Sequence, residues 1–552
     1  MTIQTLTGGE AVVESLVAHG VDTVFGIPGA QTYGLFDAFA RASDRIRVVG
    51  PRHEQATAYM AFGYAKSTGR PGVFSVVPGP GVLNASAAIC SAYGASTPVL
   101  CLTGQVPSAF IGSGKGHLHE LPDQLATMRT LTKWAERVEH PGEAPRLMAE
   151  AFRQMRSGRP RPVSLEMPWD VFGMRAPMRA VAPSTEIGPP PVDEDRIAQA
   201  ARLLVGAKNP MLMVGGGAQH APEPIRRLAE RLQAPVVAFR GGLGIVSPDH
   251  PLGFNCAEGY ERWAGTDVVV GIGSRMELQW FRWPDRPADL KMVLIDIDPV
   301  QVPRLRPDIA IVADAREAVV ALDAALEKLG VAATSRAAEF GAMRAAKRAE
   351  VAKLGLHVRH LAAIRDVLPR DGFLVEEICQ TGFTSYFAFP VHEPRTFVTC
   401  GHQGTLGFGF PTALGVKVAH PDRAVVSITG DGGFMFGVQE LATAVQHGIA
   451  LVTVLFNNAA FGNVLRDQQR LYEGRLIGSE LRNPDFVKLA ESFGVAAERV
   501  ATPETLRPAL ERALASNAPA LIEVMVDRND ELSPWPFLMP ASRRTGGAGV
   551  YP

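Results

Sequence analysis

Along the chain, apolar runs of four to six residues alternate with longer stretches whose apolar positions recur at helical spacing. Val73–Val77 and Pro98–Leu102 are clear short runs near the start. Met211–Val214, Val236–Phe239, Asp267–Ile272 and Met292–Ile297 follow, then Ala424–Thr429 and Leu451–Phe456. Runs this short and this apolar predict strands buried on both faces, joined by amphipathic crossover helices. Within Met1–Gly20, the spacing of Glu10, Ala11, Val12, Val13, Leu16 and Val17 predicts a short amphipathic helix. The expectation is an α/β protein of doubly wound parallel sheets, with ligands beyond the carboxyl ends of the strands. The glycine clusters fall at those ends.

Two interruptions divide the pattern into three blocks. Ala180–Asp193 carries Pro183, Pro189, Pro190 and Pro191, a density that neither a helix nor a central strand tolerates, so it predicts a linker. Ala332–Leu356 is a charged Ala/Arg/Lys/Glu segment ending in Lys353-Leu354-Gly355 and predicts a solvent-facing helix. The expected units are residues 1–180, 192–330 and 356–530, one parallel sheet each, with 531–552 as a C-terminal tail.

Composition narrows the function. A length of 552 residues needs more than one core. With 46% hydrophobic residues, 20% charged residues and a net charge of -1, nothing favours nucleic acid or an anionic membrane as partner. The N-terminus has no basic region followed by an apolar run, and no stretch approaches the roughly 20 apolar residues that span a bilayer. The five cysteines, Cys90, Cys101, Cys256, Cys379 and Cys400, are scattered and odd in number, which suits a reduced cytoplasmic protein.

The chemistry concentrates in Ser427–Gly462. An apolar strand ends at Thr429, Gly430-Asp431-Gly432-Gly433 follows, a helix is predicted through Gln439–Val445, and a second strand ends at Asn457-Asn458. One strand–helix–strand unit fits between Asp431 and Asn458, so both should emerge at one sheet edge. Asp431 offers an anionic oxygen and Asn458 a neutral one, the set a Mg²⁺ ion completes with phosphate oxygens and water. The glycines allow close backbone approach to phosphates, and a helix starting after them would present free N–H groups to an anion. Either half of the motif alone is an ordinary turn; the two at this spacing are not.

The segment resembles the GDG…NN signature of thiamine diphosphate (ThDP) enzymes. The resemblance implies that Asp431, the Asn458 side chain and the Ala460 carbonyl hold the metal, with Gly430, Gly432, Gly433 and Phe461 around the cofactor. In the first block, Arg52-His53-Glu54-Gln55, followed by Ala58, Met60, Ala61 and Gly63-Tyr64-Ala65, closely resembles the acetolactate synthase and 2-keto acid decarboxylase group. There the glutamate pairs with the aminopyrimidine and activates the thiazolium carbon, a role that falls on Glu54. A carboxylate heading an apolar helix is expected to be partly desolvated, which suits proton sharing. Further segments similar to the group are Phe25-Gly26-Ile27-Pro28-Gly29, Pro78-Gly79-Pro80-Gly81-Val82-Leu83-Asn84, Pro162–Pro168, and Gly404-Thr405-Leu406-Gly407-Phe408-Gly409. They add Pro28, Gly79, Asn84, Gly404 and the wedge residue Leu406 to the expected cofactor contacts. The likeness runs from about Thr7 to Asp527. It names the three units pyrimidine-binding, middle and diphosphate-binding, and it implies a homodimer or homotetramer with sites shared between chains.

The chain also departs from acetolactate synthases. Asp467 stands where they carry a tryptophan, Gly273–Gln279 where they carry RFDDRVTG, and His402-Gln403 within their GGLG loop. The LGMLGMHG stretch is replaced by Gly253–Tyr260. FAD is therefore not expected, although Gly215–Gly217, Asp296 and Asp298 suggest a nucleotide crevice. Trp280, Phe281, Trp283 and Tyr260 are candidates to fill it. The loop Gly112–Gln124 supplies His117 and His119, alternatives for one role, together with Gln124 as candidate substrate contacts. Gln31, with Tyr33 beside it, is another. The expected activity is acetolactate synthase-like joining of 2-keto acids through a ThDP carbanion. The alternatives are a 2-keto acid decarboxylase, a C–C lyase or hydrolase acting on another carbonyl compound, and an inactive ThDP-binding subunit.

Overall fold

The computed structural model describes residues 3–179, 182, 183 and 187–542. Ala180, Val181 and residues 184–186 of the predicted linker, and residues 543–552 of the predicted tail, lie outside the described residues.

Three six-stranded sheets form, with every neighbouring pair parallel. The first runs Arg47–Val49, Thr23–Gly26, Gly72–Val76, Val99–Gln105, Val163–Pro168, Trp134–Arg137. The second runs Gly253–Asn255, Val236–Ala238, Pro210–Val214, Val268–Ile272, Lys291–Asp296, Ile309–Val312. The third runs Phe397–Val398, Phe373–Val375, Val425–Gly430, Val452–Asn457, Ala520–Met525, Ala496–Val500. The predicted strands appear within one residue of their expected ends, because buried strands are marked by local apolar runs, except that Pro98–Leu102 becomes Val99–Gln105, extended through Thr103, Gly104 and Gln105. The expected helix in the charged segment is Ala337–Val351. A small antiparallel pair, Ile3–Thr7 with Arg175–Arg179, ties the two ends of the first block.

Helix Glu54–Thr68 of the first block lies against helix Gly409–Ala419 of the third. A Cβ at Gly63 would overlap the Thr412 carbonyl oxygen, and one at Gly415 the Met60 carbonyl oxygen. The two backbones touch, and glycine alone permits it. The first and third sheets consequently share one apolar core.

The segment expected as a C-terminal tail packs against the rest of the chain as far as residue 542. Trp535 rests on Phe383, Phe537 stacks on Phe387, and Ser542 Oγ donates to Asp285 at 2.6 Å. The segment straps the third unit to the middle one. The middle crevice is open, with a volume of about 630 Å³, and is lined by Gly215–Gly217, Arg275 and Asp296 among others. None of the four candidate aromatics fills it. Tyr260 and Trp283 pack with Trp263 in the core, Trp280 lies under Arg286, and Phe281 is exposed. Large rings gain more from burial among other rings than from lining a wet cleft.

Candidate active site

Strands Val425–Gly430 and Val452–Asn457 are direct parallel neighbours, with Gly430 opposite Phe456. Asp431 and Asn458 therefore leave the sheet at the same edge. Asp431 is 2% exposed and accepts from Asn483 Nδ2 at 2.7 Å. Burial pushes its carboxyl up, against Asn483 and the N–H groups of Gly432, Ala459 and Ala460. The two asparagines divide the work. Asn457 is a brace, donating to Glu523 at 2.7 Å and accepting from Ala459 N. Asn458 directs its oxygen toward Ala460 N at 3.1 Å. Ala459 turns the chain with a φ of 53°. Among the described residues no group of three or more His, Cys, Asp or Glu side chains is placed to hold a metal. A divalent cation at Asp431 would thus depend on neutral oxygens, such as those of Asn458 and Ala460, and on phosphate.

The glycines form a cradle that any Cβ would fill. At Gly430 it would lie 3.0 Å from the Cys379 Cβ, at Gly432 2.5 Å from the Phe461 ring, and at Gly433 2.9 Å from Glu377 Oε1. The helix expected through Gln439–Val445 is present as the 3-10 turn Val438–Glu440 running into the α-helix Leu441–Gln446. Between the glycines and that helix, Asp431 opens a single turn of its own, Asp431–Phe434.

Three residues here escaped the sequence reading. Glu377 is fully buried and accepts from the N–H groups of Gly407 at 2.6 Å, Phe408 at 3.2 Å and Gly409 at 2.8 Å. It thereby holds the loop that presents half-buried Leu406, with Gly404 left-handed at the loop's start. Glu376 beside it accepts from the Tyr386 hydroxyl at 3.0 Å. Burial pushes both carboxyls up to about 7. Gln380 takes Arg466 on its oxygen at 2.9 Å, while its buried Nε2 has no partner. A buried orphan donor beside a glycine cradle suits an anionic oxygen. A Glu-Glu pair reads as solvated in sequence, so only Cys379-Gln380 following a strand end was available as a hint.

In the first block, Glu54 heads its helix, half-buried, with His53 as the cap. Asn84 Nδ2 donates to Glu54 Oε2 at 3.1 Å. Gly79, with a φ of 62°, opens the helix bearing Asn84, and a Cβ there would lie 2.5 Å from the His119 carbonyl oxygen. His119 Nδ1 lies 2.8 Å from Gln31 Oε1, and Gln31 Nε2 donates to the Leu118 carbonyl at 2.9 Å. Burial holds the His119 ring below its ordinary value, against the pull of Glu54. Glu54, Asn84, Gly79, His119 and Gln31 are thus gathered together, and Pro28 is exposed in the loop before Gln31.

The other substrate candidates are placed differently. Gln124 is 1% exposed and spends both amide ends, accepting from Gly79 N and donating to Gly104 O and Glu166. It is a brace under Gly79. His117 stacks on Phe110, while His119 meets Gln31. Tyr33 is exposed, edge-on to Trp169.

Comparison with known proteins gives three family models in series. The N-terminal TPP binding domain of thiamine pyrophosphate enzymes matches residues 6–127, the central domain 197–322, and the C-terminal TPP binding domain 378–524. Among curated relatives, a probable 2-ketoarginine decarboxylase of Pseudomonas aeruginosa is 37% identical over 94% of both chains. A probable acetolactate synthase large subunit of Methanocaldococcus jannaschii is 33% identical, over 98% of this chain and 95% of its own. The acetolactate synthase isozyme 1 large subunit of Escherichia coli is 30% identical over 99% and 98%.

Proposed function

This chain belongs to the acetolactate synthase family of thiamine diphosphate enzymes, and on that premise we propose that it is a Mg²⁺-dependent 2-keto acid decarboxylase that returns a proton to the carbon left behind. The observation that carries this reading is the His119–Gln31 pair beside Glu54, a proton-handling group at the end of the site where the activating carboxylate lies. Asp467 is a second support, since a charged side chain at the tryptophan position offers no apolar wall to a second keto acid. Acetolactate synthase-like joining is the alternative.

In this reading Asp431, the Asn458 oxygen and the Ala460 carbonyl would hold Mg²⁺ and Gln380 would donate to the diphosphate. Glu54 would hold a proton for the aminopyrimidine, and Leu406 would pack against the cofactor. Bound ThDP supplies a carbon nucleophile for the keto carbon and a sink for the electrons left when CO₂ departs. Incubation with a panel of 2-keto acids, including pyruvate and 2-ketoarginine, should give one aldehyde per CO₂. A 2-hydroxy ketone as the main product would favour the joining reaction.

We further propose that no FAD is needed, because Gly273–Gln279 and Gly253–Tyr260 replace the flavin-contacting segments of the synthases. A colourless purified protein, fully active with ThDP and Mg²⁺ alone, is the expected result; activity that depends on added FAD would reject it. No helix among the described residues is long and apolar enough to cross a membrane. The five cysteines are unpaired, which accords with a reducing cytoplasm.

A further inference from the structure

Glu531, in the strap, has no part in the chemistry above, yet its side chain is only 5% exposed. We propose that Glu531 is a positioning residue that orients the Asn458 amide so that its oxygen, not its nitrogen, faces the metal. The proposal rests on the metal-site reading above.

An asparagine amide has two ends of nearly equal shape, and only the oxygen ligates a hard divalent cation. Something must select the end. Glu531 Oε2 lies 2.7 Å from Asn458 Nδ2. An ionised carboxylate only accepts, so it draws the NH₂ group and turns Oδ1 to the opposite side, where the Ala460 N–H donates to it. Gly462 leaves room for the pair, since a Cβ there would lie 2.8 Å from Asn458 Nδ2 and 3.4 Å from Glu531 Oε2.

Glu531 is in turn fixed from several elements. Its other oxygen lies 3.4 Å from Nε2 of buried His357, whose Nδ1 lies 2.9 Å from Thr381 Oγ1. Arg466 donates to the Glu531 carbonyl at 3.4 Å, and the next part of the strap is tied by Trp535 Nε1 to Asn463 at 2.6 Å. Partners that orient a metal ligand in this way set affinity without touching the metal.

The test is calorimetric titration of Mg²⁺ into the full chain with ThDP present. Glu531→Ala should weaken Mg²⁺ binding about 10- to 100-fold. A second pair of variants separates orientation from mere packing. Asn458→Asp makes both ends oxygen, so no orienting partner is needed and Glu531 becomes a like charge. Adding Glu531→Gln to Asn458→Asp should therefore strengthen Mg²⁺ binding, although Glu531→Ala weakens it in the wild-type background. A Glu531→Ala chain that binds Mg²⁺ as wild type does, or a Glu531→Gln change that weakens binding in the Asn458→Asp background, would overturn the proposal. Asp431→Ala is the control: if it too leaves Mg²⁺ binding intact, the metal-site reading has failed and the proposal falls with it.

Discussion

Gln31 decides which nitrogen of His119 is free. Because Gln31 Nε2 donates to the Leu118 carbonyl, its Oε1 faces His119 and requires an N–H there. The neutral ring then carries its proton on Nδ1 and leaves Nε2 bare, ready to take up and return a proton. With the His119 value held below the ordinary histidine value of about 6.5, the neutral form dominates at pH 7 and is lost only as pH falls through that lowered value. His119→Gln should lower kcat about 100-fold or more and remove the acid limb of the pH–rate profile. Glu54→Gln keeps the shape and removes the shared proton. Exchange of the ThDP C2 proton, followed by NMR, should slow by orders of magnitude while calorimetry still shows ThDP bound. Of these residues, Glu54 was legible in the sequence because its flanking pattern is specific. His119 could not be separated from His117, since the difference is a tertiary contact with Gln31.

At the scale of elements, the close pair of helices Glu54–Thr68 and Gly409–Ala419 sets the height of Glu54 relative to the third sheet. Gly63→Val would drive methyl groups into the Thr412 carbonyl. It should destabilise the fold by at least about 1–3 kcal/mol, read as a lower melting temperature, whereas Ala substitution at exposed Gly188, with nothing within 4 Å, should leave it unchanged. The apolar strands were legible to within one residue because their signal is local, while Val99–Gln105 runs three residues past its apolar run into Thr103, Gly104 and Gln105. The turn after Gly430 was not, because its length depends on the glycines meeting Phe461, Glu377 and Cys379 from other parts of the chain. Glu377 shows the same limit: a carboxylate wrapped in three backbone N–H groups has nothing in its own neighbourhood of sequence to announce it.

Across the whole molecule, Glu54 and Asp431 have no hydrogen-bond partner in common among the described residues. Glu54 is gathered with Asn84 and His119, Asp431 with Asn483 and the asparagine turn. The family resemblance implies that Glu54 of one chain and Asp431 of another meet on one cofactor, and on that ground the proposed active unit is at least a homodimer. Mixing folded Glu54→Gln and Asp431→Ala chains should recover part of the activity through hybrid sites. A mixture that sediments as hybrid oligomers and stays inactive would count against a shared site.

The sequence by itself determined the parallel α/β sheets, because apolar period is local, and through its likeness to thiamine diphosphate enzymes it indicated the cofactor class. It also proposed Asp431, Asn458 and Glu54 as site residues, each from a short motif. Only the tertiary structure decided that Gln124 is a brace, that His119 and not His117 joins Gln31, that the middle crevice stays open, and that Glu531 reaches Asn458 from 73 residues away. Those outcomes depend on which buried donor meets which acceptor. A buried polar group must find a partner wherever the fold supplies one, and sequence distance plays no part in that choice.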